Sequence, residues 1–436
     1  MKAIIAFGED FPIRMKSFLI APLAGLFIAR MAYGADDVGL AASGANQLGV
    51  DLHRQLATGD GNLCISPYSI ETALAMTFAG ADGVTRDELS RVMHLPKNGD
   101  AVNESFLALQ HSLDEMSKKT GEIAAESKKH GGPSEPITLA VANRLFAQNG
   151  YDFRSSFLAL TKQFYGAPLE ALDFNKHAEE ARQRINKWVA DQTRDRIRDL
   201  IPLKGVNDTT RLVLANALYL KAPWASEFSE NQTNPKPFHV RGGATADVAT
   251  MQQLTHFGYA KRDGFAAVAV PYSGGELQFL VLLPDEVNGL QSLEKKLSAE
   301  LLAQCAKLEE HDVDLSMPKF KFEPPTIMLA AALKALGMNS AFDQPRGSAN
   351  FDGIAPRKPN DYLYISDVFH KTFIAVDEKG TEAAAATAVT MMAATAMLSQ
   401  ETPPPIVVNV DRPFLYAIQH VPSGVCLFLG RVTDPR

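Results

Sequence analysis

Residues 376–405, VDEKGTEAAAATAVTMMAATAMLSQETPPP, form the segment that most limits what this chain can fold into. Ala is the best helix former and Met is close behind, so propensity alone predicts a helix. The segment lacks both the polar stripe of a surface helix and the bulky apolar stripe of a core helix. Its charges stand at the start, apart from Glu401, and its three prolines come last. An ordinary helix therefore does not account for it.

The composition of the whole chain is that of a globular protein, with 46% hydrophobic and 21% charged residues among 436. The net charge is −7, and acidic and basic residues are mixed along the chain. No basic stripe points to nucleic acid, so we expect no nucleic-acid partner.

The N-terminus predicts export. Arg14 and Lys16 precede an apolar run at 17–29, and the small residues Ala32 and Gly34 follow. This order is typical of a secretory signal peptide, here 1–34, with cleavage after Gly34. The apolar run is too short to span a membrane comfortably, so we expect a secreted or periplasmic protein without a membrane partner. Two alternatives stay open: translation could start at Met15, and the run could form a buried N-terminal helix.

Helical periodicity dominates the first part of the chain and strand-like patterns dominate the second, which predicts one α+β domain over 35–436 with large antiparallel sheets. Thr85 is predicted to cap a helix that contains TRDEL. A longer amphipathic helix is predicted at 179–201, with Ile185, Trp188 and Val189 on its apolar face. The polar, Gly- and Pro-ended stretch 117–136 is predicted to be an exposed loop.

The sequence offers no constellation for catalysis. The motifs G-x-S-x-G, H-E-x-x-H, G-x-x-x-x-G-K-[ST] and G-x-G-x-x-G are all absent from it. The ten histidines are scattered, and we interpret His370, which has apolar neighbours, as a buried hydrogen-bonding residue. The three cysteines, Cys64, Cys305 and Cys426, are predicted to be buried free thiols. We therefore expect neither an enzyme nor a metal or other cofactor.

Six sequence blocks after residue 60 occur in an order that matches one known family. NLCISPYSIETALAMTF contains the matching Asn62, Ser66, Pro67 and Ser69, and LVLANALYLKAPW contains Asn216 and Trp224. LSMPKFKFE, LKALGM and ISDVFHKTFIAVDEKGTEAAAAT follow, and VNVDRPFLYAIQH then matches a C-terminal signature at Asp411, Arg412, Pro413 and Phe414. Each block alone is moderately specific, and their common order is very specific. In these blocks the sequence resembles the serpin family of serine protease inhibitors.

The resemblance implies a fold and a mechanism. The implied serpin fold is α+β, with helices packed around large antiparallel or mixed sheets, and 377–405 is its exposed reactive loop. The implied partner is a serine protease, which cleaves the loop of a monomeric inhibitor. The protease is then held as a covalent acyl complex while the loop enters the main sheet as a strand. A hydrogen-bonded cluster beneath the opening of that sheet is implied at Ser66, Ser69, Asn216 and His370.

The loop residues suit such a strand. Alternate side chains point to opposite faces, so one face would carry Thr381 and the other Glu382, whose charge is expected to stay solvated. Gly380 supplies a flexible hinge, and no proline interrupts 380–402. The implied hinge consists of Glu378, Gly380, Thr381, Glu382, Ala383, Ala384, Ala385 and Ala386.

The cleaved bond is predicted from its distance to the hinge. Counting from Gly380, as in inhibitory relatives, places it at Ala394–Thr395, and a small residue before the bond suits an elastase-like protease. Cleavage after Met397 or Leu398 would instead indicate a chymotrypsin-like or subtilisin-like target. Between Lys379 and Arg412 there is no Arg or Lys, which argues against a trypsin-like target. A rival interpretation is a non-inhibitory serpin, either a binding or carrier protein or a plain protease substrate.

Overall fold

A computed structural model describes residues 35–129, 135–240, 243–359, 361–382 and 404–436. These residues lie within one compact unit, Gly34–Arg436. Among them, no helix is both long and apolar enough to cross a membrane. The longer described helices lie in the first half of the chain: α1 (Ala35–Leu56), α2 (Pro67–Phe78), α3 (Gly83–Val92), α4 (Gly99–Lys129), α5 (Ser155–Tyr165) and α6 (Phe174–Gln192). Three shorter helices lie in the second half: α7 (Leu290–Lys296), α8 (Ala299–Gln304) and α9 (Ala330–Ala335).

The strands fill most of the second half. They are β1 (Leu63–Ile65), β2 (Thr138–Gln148), β3 (Leu169–Leu172), β4 (Leu212–Pro223), β5 (Asn234–His239), β6 (Thr245–Arg262), β7 (Phe265–Pro271), β8 (Leu277–Pro284), β9 (Glu310–Pro318), β10 (Phe320–Phe322), β11 (Ile327–Met328), β12 (Phe369–His370), β13 (Ile374–Asp377), β14 (Gly380–Thr381), β15 (Ile406–Asn409), β16 (Phe414–His420) and β17 (Cys426–Val432).

The described strands form two large sheets and one small ribbon. A nine-stranded sheet has the order β1-β17-β16-β8-β7-β6-β9-β15, and β5 also pairs with β6. A six-stranded sheet has the order β10-β13-β14-β4-β2-β3, and β11 pairs with β12. The predicted α+β organisation is confirmed.

The main core lies between the two sheets and the helices, and α2 is buried along almost its whole length within it. Ser66 caps α2 and Pro67 takes its first position, an order that suits a helix start. On the opposite, outer face of the six-stranded sheet, α6 packs Ile185, Trp188 and Val189 in a smaller apolar cluster. The six-stranded sheet is therefore covered on both faces. Cys64, Cys305 and Cys426 are buried and free, as predicted.

Three local predictions are wrong. The stretch 117–129 is not a loop but the end of α4, because Met116, Thr120 and Ala124 repeat every four residues and are buried. The cap of α3 is Asp82, whose side chain accepts from the Gly83 N–H, and Thr85 instead lies buried one turn inside. The helix predicted at 179–201 begins earlier and ends at Gln192, with turns after it.

Candidate functional site

The hinge segment, residues 377–382, is built into the six-stranded sheet. β13 and β14 form a tight antiparallel pair in which Val376 faces Thr381, and Thr381 also faces Ala222 of β4. Trp224 fastens the turn, because its backbone N–H donates to Lys379 and its indole Nε1–H donates to the Asp377 carbonyl, both at 2.9 Å.

Gly380 is required by this geometry. Its φ is +153°, and a Cβ at this position would overlap the carbonyl oxygen of Ala222. Only a residue without a side chain lets the two backbones approach so closely. The hinge role that the sequence assigned to Gly380 stays a prediction, but the position itself excludes other residues.

Glu378 is a buried charge with two partners at the base of the hinge. Its carboxylate accepts hydrogen bonds from Lys319 Nζ at 2.7 Å and from Thr233 Oγ1 at 2.8 Å. Burial alone raises the pKa of Glu378, but the hydrogen bonds from Lys319 and Thr233 outweigh it and hold the pKa below its ordinary value. Through this carboxylate, Lys319, which directly precedes β10, is connected to the turn between β13 and β14.

Thr381 points into the core and Glu382 points away from it. The side chain of Thr381 is hydrogen-bonded to the hydroxyl of Tyr272, whose ring stacks on Trp224 with centroids 4.5 Å apart. The expectation that Glu382 stays solvated is wrong: its side chain is only 11% exposed, and it accepts from Arg196 Nε at 2.5 Å. The alternation of faces is correct, but the outer face is covered by the segment that follows α6.

Beyond β14, a cavity of about 420 Å³ runs between β4 and the chain at 362–372. β4 pairs with β2 over ten residues but with β14 over two. The cavity is lined from β4 by Leu212, Leu214, Asn216 and Leu218 and from below by residues of α2. Among the described strands, residues 212–221 of β4 thus pair with β2 on one side and with no strand on the other.

The structure brings Ser66, Ser69, Asn216 and His370 together at this cavity. The Ser66 N–H donates to His370 Nε2 at 3.0 Å, and the Ser69 N–H donates to Ser66 Oγ at 3.3 Å. The Ser69 hydroxyl donates to Asn216 Oδ1. Burial lowers the pKa of His370 to about 4, so its imidazole is neutral at pH 7 and can accept through Nε2. These contacts join α2 to both sides of the cavity.

The same network continues through residues that sequence reasoning missed. Asn216 Nδ2–H donates to Asn143 Oδ1 at 2.6 Å, and Asn143 Nδ2–H donates to the Tyr165 carbonyl at 2.9 Å. The Tyr165 hydroxyl then donates to Asn103 Oδ1 at 2.8 Å. Asn143 lies directly opposite Asn216 in the β2–β4 ladder, so its position follows from strand register and carries no signal of its own in the sequence.

Several predicted site residues lie outside the described residues: the loop-entry residues Ala383, Ala384, Ala385 and Ala386, and the candidate cleavage residues Ala394, Thr395, Met397 and Leu398. Within the described ranges, no group of three or more His, Cys, Asp or Glu side chains could hold a metal ion.

Comparisons with known proteins agree with this geometry. A family model described as serpin (serine protease inhibitor) matches residues 43–435. An uncharacterised serpin-like protein of Thermococcus kodakarensis is 38% identical, over 90% of this chain and 85% of its own. A leukocyte elastase inhibitor of Equus caballus is 36% identical, over 88% of this chain and 97% of its own. Among solved structures, a cleaved serpin superposes with a TM-score of 0.74 at 27% identity, covering 92% of this chain and 100% of the other.

Proposed function

The chain belongs to the serpin family and has the serpin fold, and on that premise we propose that it is an irreversible suicide-substrate inhibitor of serine proteases. The description of the family, serine protease inhibitor, supports an inhibitory role. The observation that carries the proposal is the hinge: Gly380 and Thr381 already occupy the first two positions of a strand between β13 and β4, at the head of the cavity.

The register of β14 indicates what would follow if the strand grew. Continued residue by residue along β4, it sets Ala383 and Ala385 opposite the inward-facing Leu220 and Leu218, and Thr387 opposite Asn216. Small side chains would therefore enter first, which lets the flanking strands part with little change in volume. Thr387 would reach the Ser66–His370 network and exchange polar contacts with it.

The inhibitory step is a race between two fates of one covalent intermediate. The serine nucleophile of the target attacks the loop carbonyl, forms an acyl-enzyme and releases the amine of the next residue. Hydrolysis of the ester would free the protease. Insertion of roughly fifteen residues at about 3.3 Å each would instead carry it some 50 Å, and distortion of its oxyanion hole would preserve the ester.

The class of target follows from the residue before the cleaved bond. We propose Ala394–Thr395 as that bond and an elastase-like protease as the target, since a shallow pocket accepts Ala. The name of the equine relative, leukocyte elastase inhibitor, supports this choice. Met397 and Leu398 are the alternatives and would suit chymotrypsin-like or subtilisin-like proteases.

The setting of this reaction is also part of the proposal. Residues 1–34 are proposed to direct export, to the outside of the cell or to a periplasm, and to be removed. The mature protein is proposed to act as a monomer that meets its target protease there. N-terminal sequencing of the secreted protein would test export and the removal of residues 1–34. Its mobility in native electrophoresis would test whether it is a monomer.

The first experiment incubates the mature protein with pancreatic elastase and, separately, with chymotrypsin. A species that resists denaturant at the summed mass is expected, and intact-mass analysis of the released C-terminal peptide identifies the cleaved bond. Complete cleavage with the protease still active would overturn inhibition of these targets and would favour a non-inhibitory serpin. Loss of enzyme activity without a covalent species would contradict the acyl-trapping step.

A further inference from the structure

The strand β14 stops at an unusual residue. The Glu382 N–H still donates to the Ala375 carbonyl at 2.7 Å, so the ladder with β13 continues through it. Its φ, however, is +49°, in the left-handed region. A side chain makes this conformation unfavourable, and an inserted strand would need an extended backbone at the same position. Something must therefore hold Glu382 in place.

The side chain of Glu382 is held by two residues from different parts of the fold. Oε1 accepts from Arg196 Nε at 2.5 Å and from the Tyr219 hydroxyl at 3.2 Å. Arg196 belongs to the segment after α6, and Tyr219 belongs to β4. The Arg196 guanidinium also lies over the ring of Phe373, 5.2 Å from its centroid, just before β13. We call Arg196, Tyr219 and Glu382 the Glu382 clasp.

We propose that Arg196 is a positioning residue that stops strand insertion at Glu382 and so sets how readily the reactive loop enters the sheet beyond Thr381. The proposal rests on the proposed function. To extend β14 by one more residue, Glu382 must leave its left-handed conformation, and this rotation re-aims its carboxylate away from Arg196 and Tyr219. The clasp therefore opposes the next step of insertion, beyond Thr381, whereas the small side chains that follow Glu382 would oppose insertion little.

The clasp differs from an ordinary surface ion pair. Exposed pairs contribute little, because water screens them and their side chains stay mobile. Arg198, two residues further on, is such a case: it lies 3.7 Å from Asp195, and both side chains are more than 60% exposed. Glu382, by contrast, is nearly buried and has a second hydrogen-bond donor. Arg198→Gln is therefore a matched control for Arg196→Gln.

The test measures insertion without a protease target. Trp224 contacts Asp377 and Lys379 at the hinge, and with Trp188→Phe it is the single tryptophan of the chain. Its fluorescence, together with the fraction of chains whose loop has become resistant to cutting, gives the rate of spontaneous insertion on warming. We expect Arg196→Gln to raise this rate about tenfold, as loss of a charged, partly buried hydrogen bond implies, and Arg198→Gln to leave it unchanged.

A double-mutant cycle shows whether Arg196 acts through Glu382. In a Glu382→Gln background, Arg196→Gln is expected to have no further effect on the rate. Tyr219→Phe removes only the hydroxyl contact and should accelerate insertion about twofold. It also serves as the second variant if Arg196→Gln does not fold, which the urea midpoint of the loop-cleaved form would reveal.

The outcomes separate the two proposals. If cutting the loop of the unmodified protein brings no gain in heat resistance, the proposed function fails, and the clasp has no insertion to stop. If the unmodified protein does gain resistance but Arg196→Gln inserts no faster, or Arg198→Gln accelerates insertion equally, only the clasp is overturned. Faster insertion by Arg196→Gln that depends on Glu382 supports both.

Discussion

The two large sheets of this protein differ in how completely their central strands are paired. In the nine-stranded sheet, β8 pairs with β7 over seven residues and with β16 over six, and all its residues are buried. In the six-stranded sheet, β4 pairs over ten residues on one side and over two on the other. A central strand of the nine-stranded sheet is thus paired on both sides, whereas β4 of the six-stranded sheet has a cavity along most of one side. A fully paired sheet and an incompletely paired sheet therefore share one hydrophobic core.

The largest expected effect is that of Thr381→Arg, which should keep the reactive loop from inserting into the six-stranded sheet. Thr381→Arg places a charge where the Thr side chain is 3% exposed and bonded to Tyr272. An unpaired buried charge costs several kcal/mol, so we expect the moles of inhibitor consumed per mole of protease trapped to rise about tenfold or more.

Titration of elastase against this variant gives that ratio. Thr381→Val, which keeps the shape of the side chain without its charge or hydroxyl, is the matched control and should trap nearly normally. Equal trapping by the Arg and Val variants would show that trapping does not require residue 381 to stay in the sheet, and would contradict the prediction.

A core substitution in the nine-stranded sheet should lower stability without changing how well the protein traps a protease. Leu280 of β8 is fully buried, and Leu280→Ala is expected to lower the free energy of unfolding by about 2–5 kcal/mol through the cavity it creates. Because β8 gains no new partner on insertion, the loss should be the same for the intact and the loop-cleaved protein. Urea unfolding of both forms measures it; a loss confined to the intact form would show that the two sheets are not independent.

The smallest predicted effect is a dependence on pH through two histidines: His370 of the β11–β12 ribbon, which lines the cavity beside β4, and His420 of the nine-stranded sheet. Burial lowers the pKa of His370 and of His420 to about 4. Unfolded histidines titrate near pH 6.5, so between pH 6.5 and 4 the unfolded chain binds more protons and stability falls as pH falls. Each histidine should contribute at most about 3 kcal/mol over this range, and nothing further above it.

Variants at the two histidines compare the cavity beside β4 with the fully paired nine-stranded sheet. His370→Gln and His420→Gln should each flatten the fall in urea midpoint between pH 6.5 and 4. Only His370 accepts from Ser66 across the cavity, and its protonated form loses that acceptor. Spontaneous insertion should therefore accelerate as the pH falls to 4 in the His420→Gln protein but not in the His370→Gln protein. The reverse pattern would contradict the role given to His370.

Sequence reasoning succeeded where the cause is local or shared by many relatives. The buried cysteines and the α+β order follow from apolar patterning, and the alternation of Thr381 and Glu382 follows from strand geometry. It failed at 117–129, where polar residues suggested a loop although a buried stripe at Met116, Thr120 and Ala124 continues α4. It also failed at Glu382, because nothing near that residue in the sequence announces Arg196, which is 186 positions away.

The sequence by itself determined the family and the composition of the loop, since these depend on residue type and order, whereas the need for glycine at 380 comes from the close approach of Ala222. Only the tertiary structure decided how far the strand extends. That limit depends on Arg196 and Tyr219, which the packing of the post-α6 segment and β4 brings to the Glu382 carboxylate. The packing of α2 likewise sets the hydrogen bonds that link His370, Ser66, Ser69 and Asn216 beside the cavity. Contacts between segments that are far apart in the sequence set these positions. Local residue patterns do not show which distant side chains will meet in the folded protein.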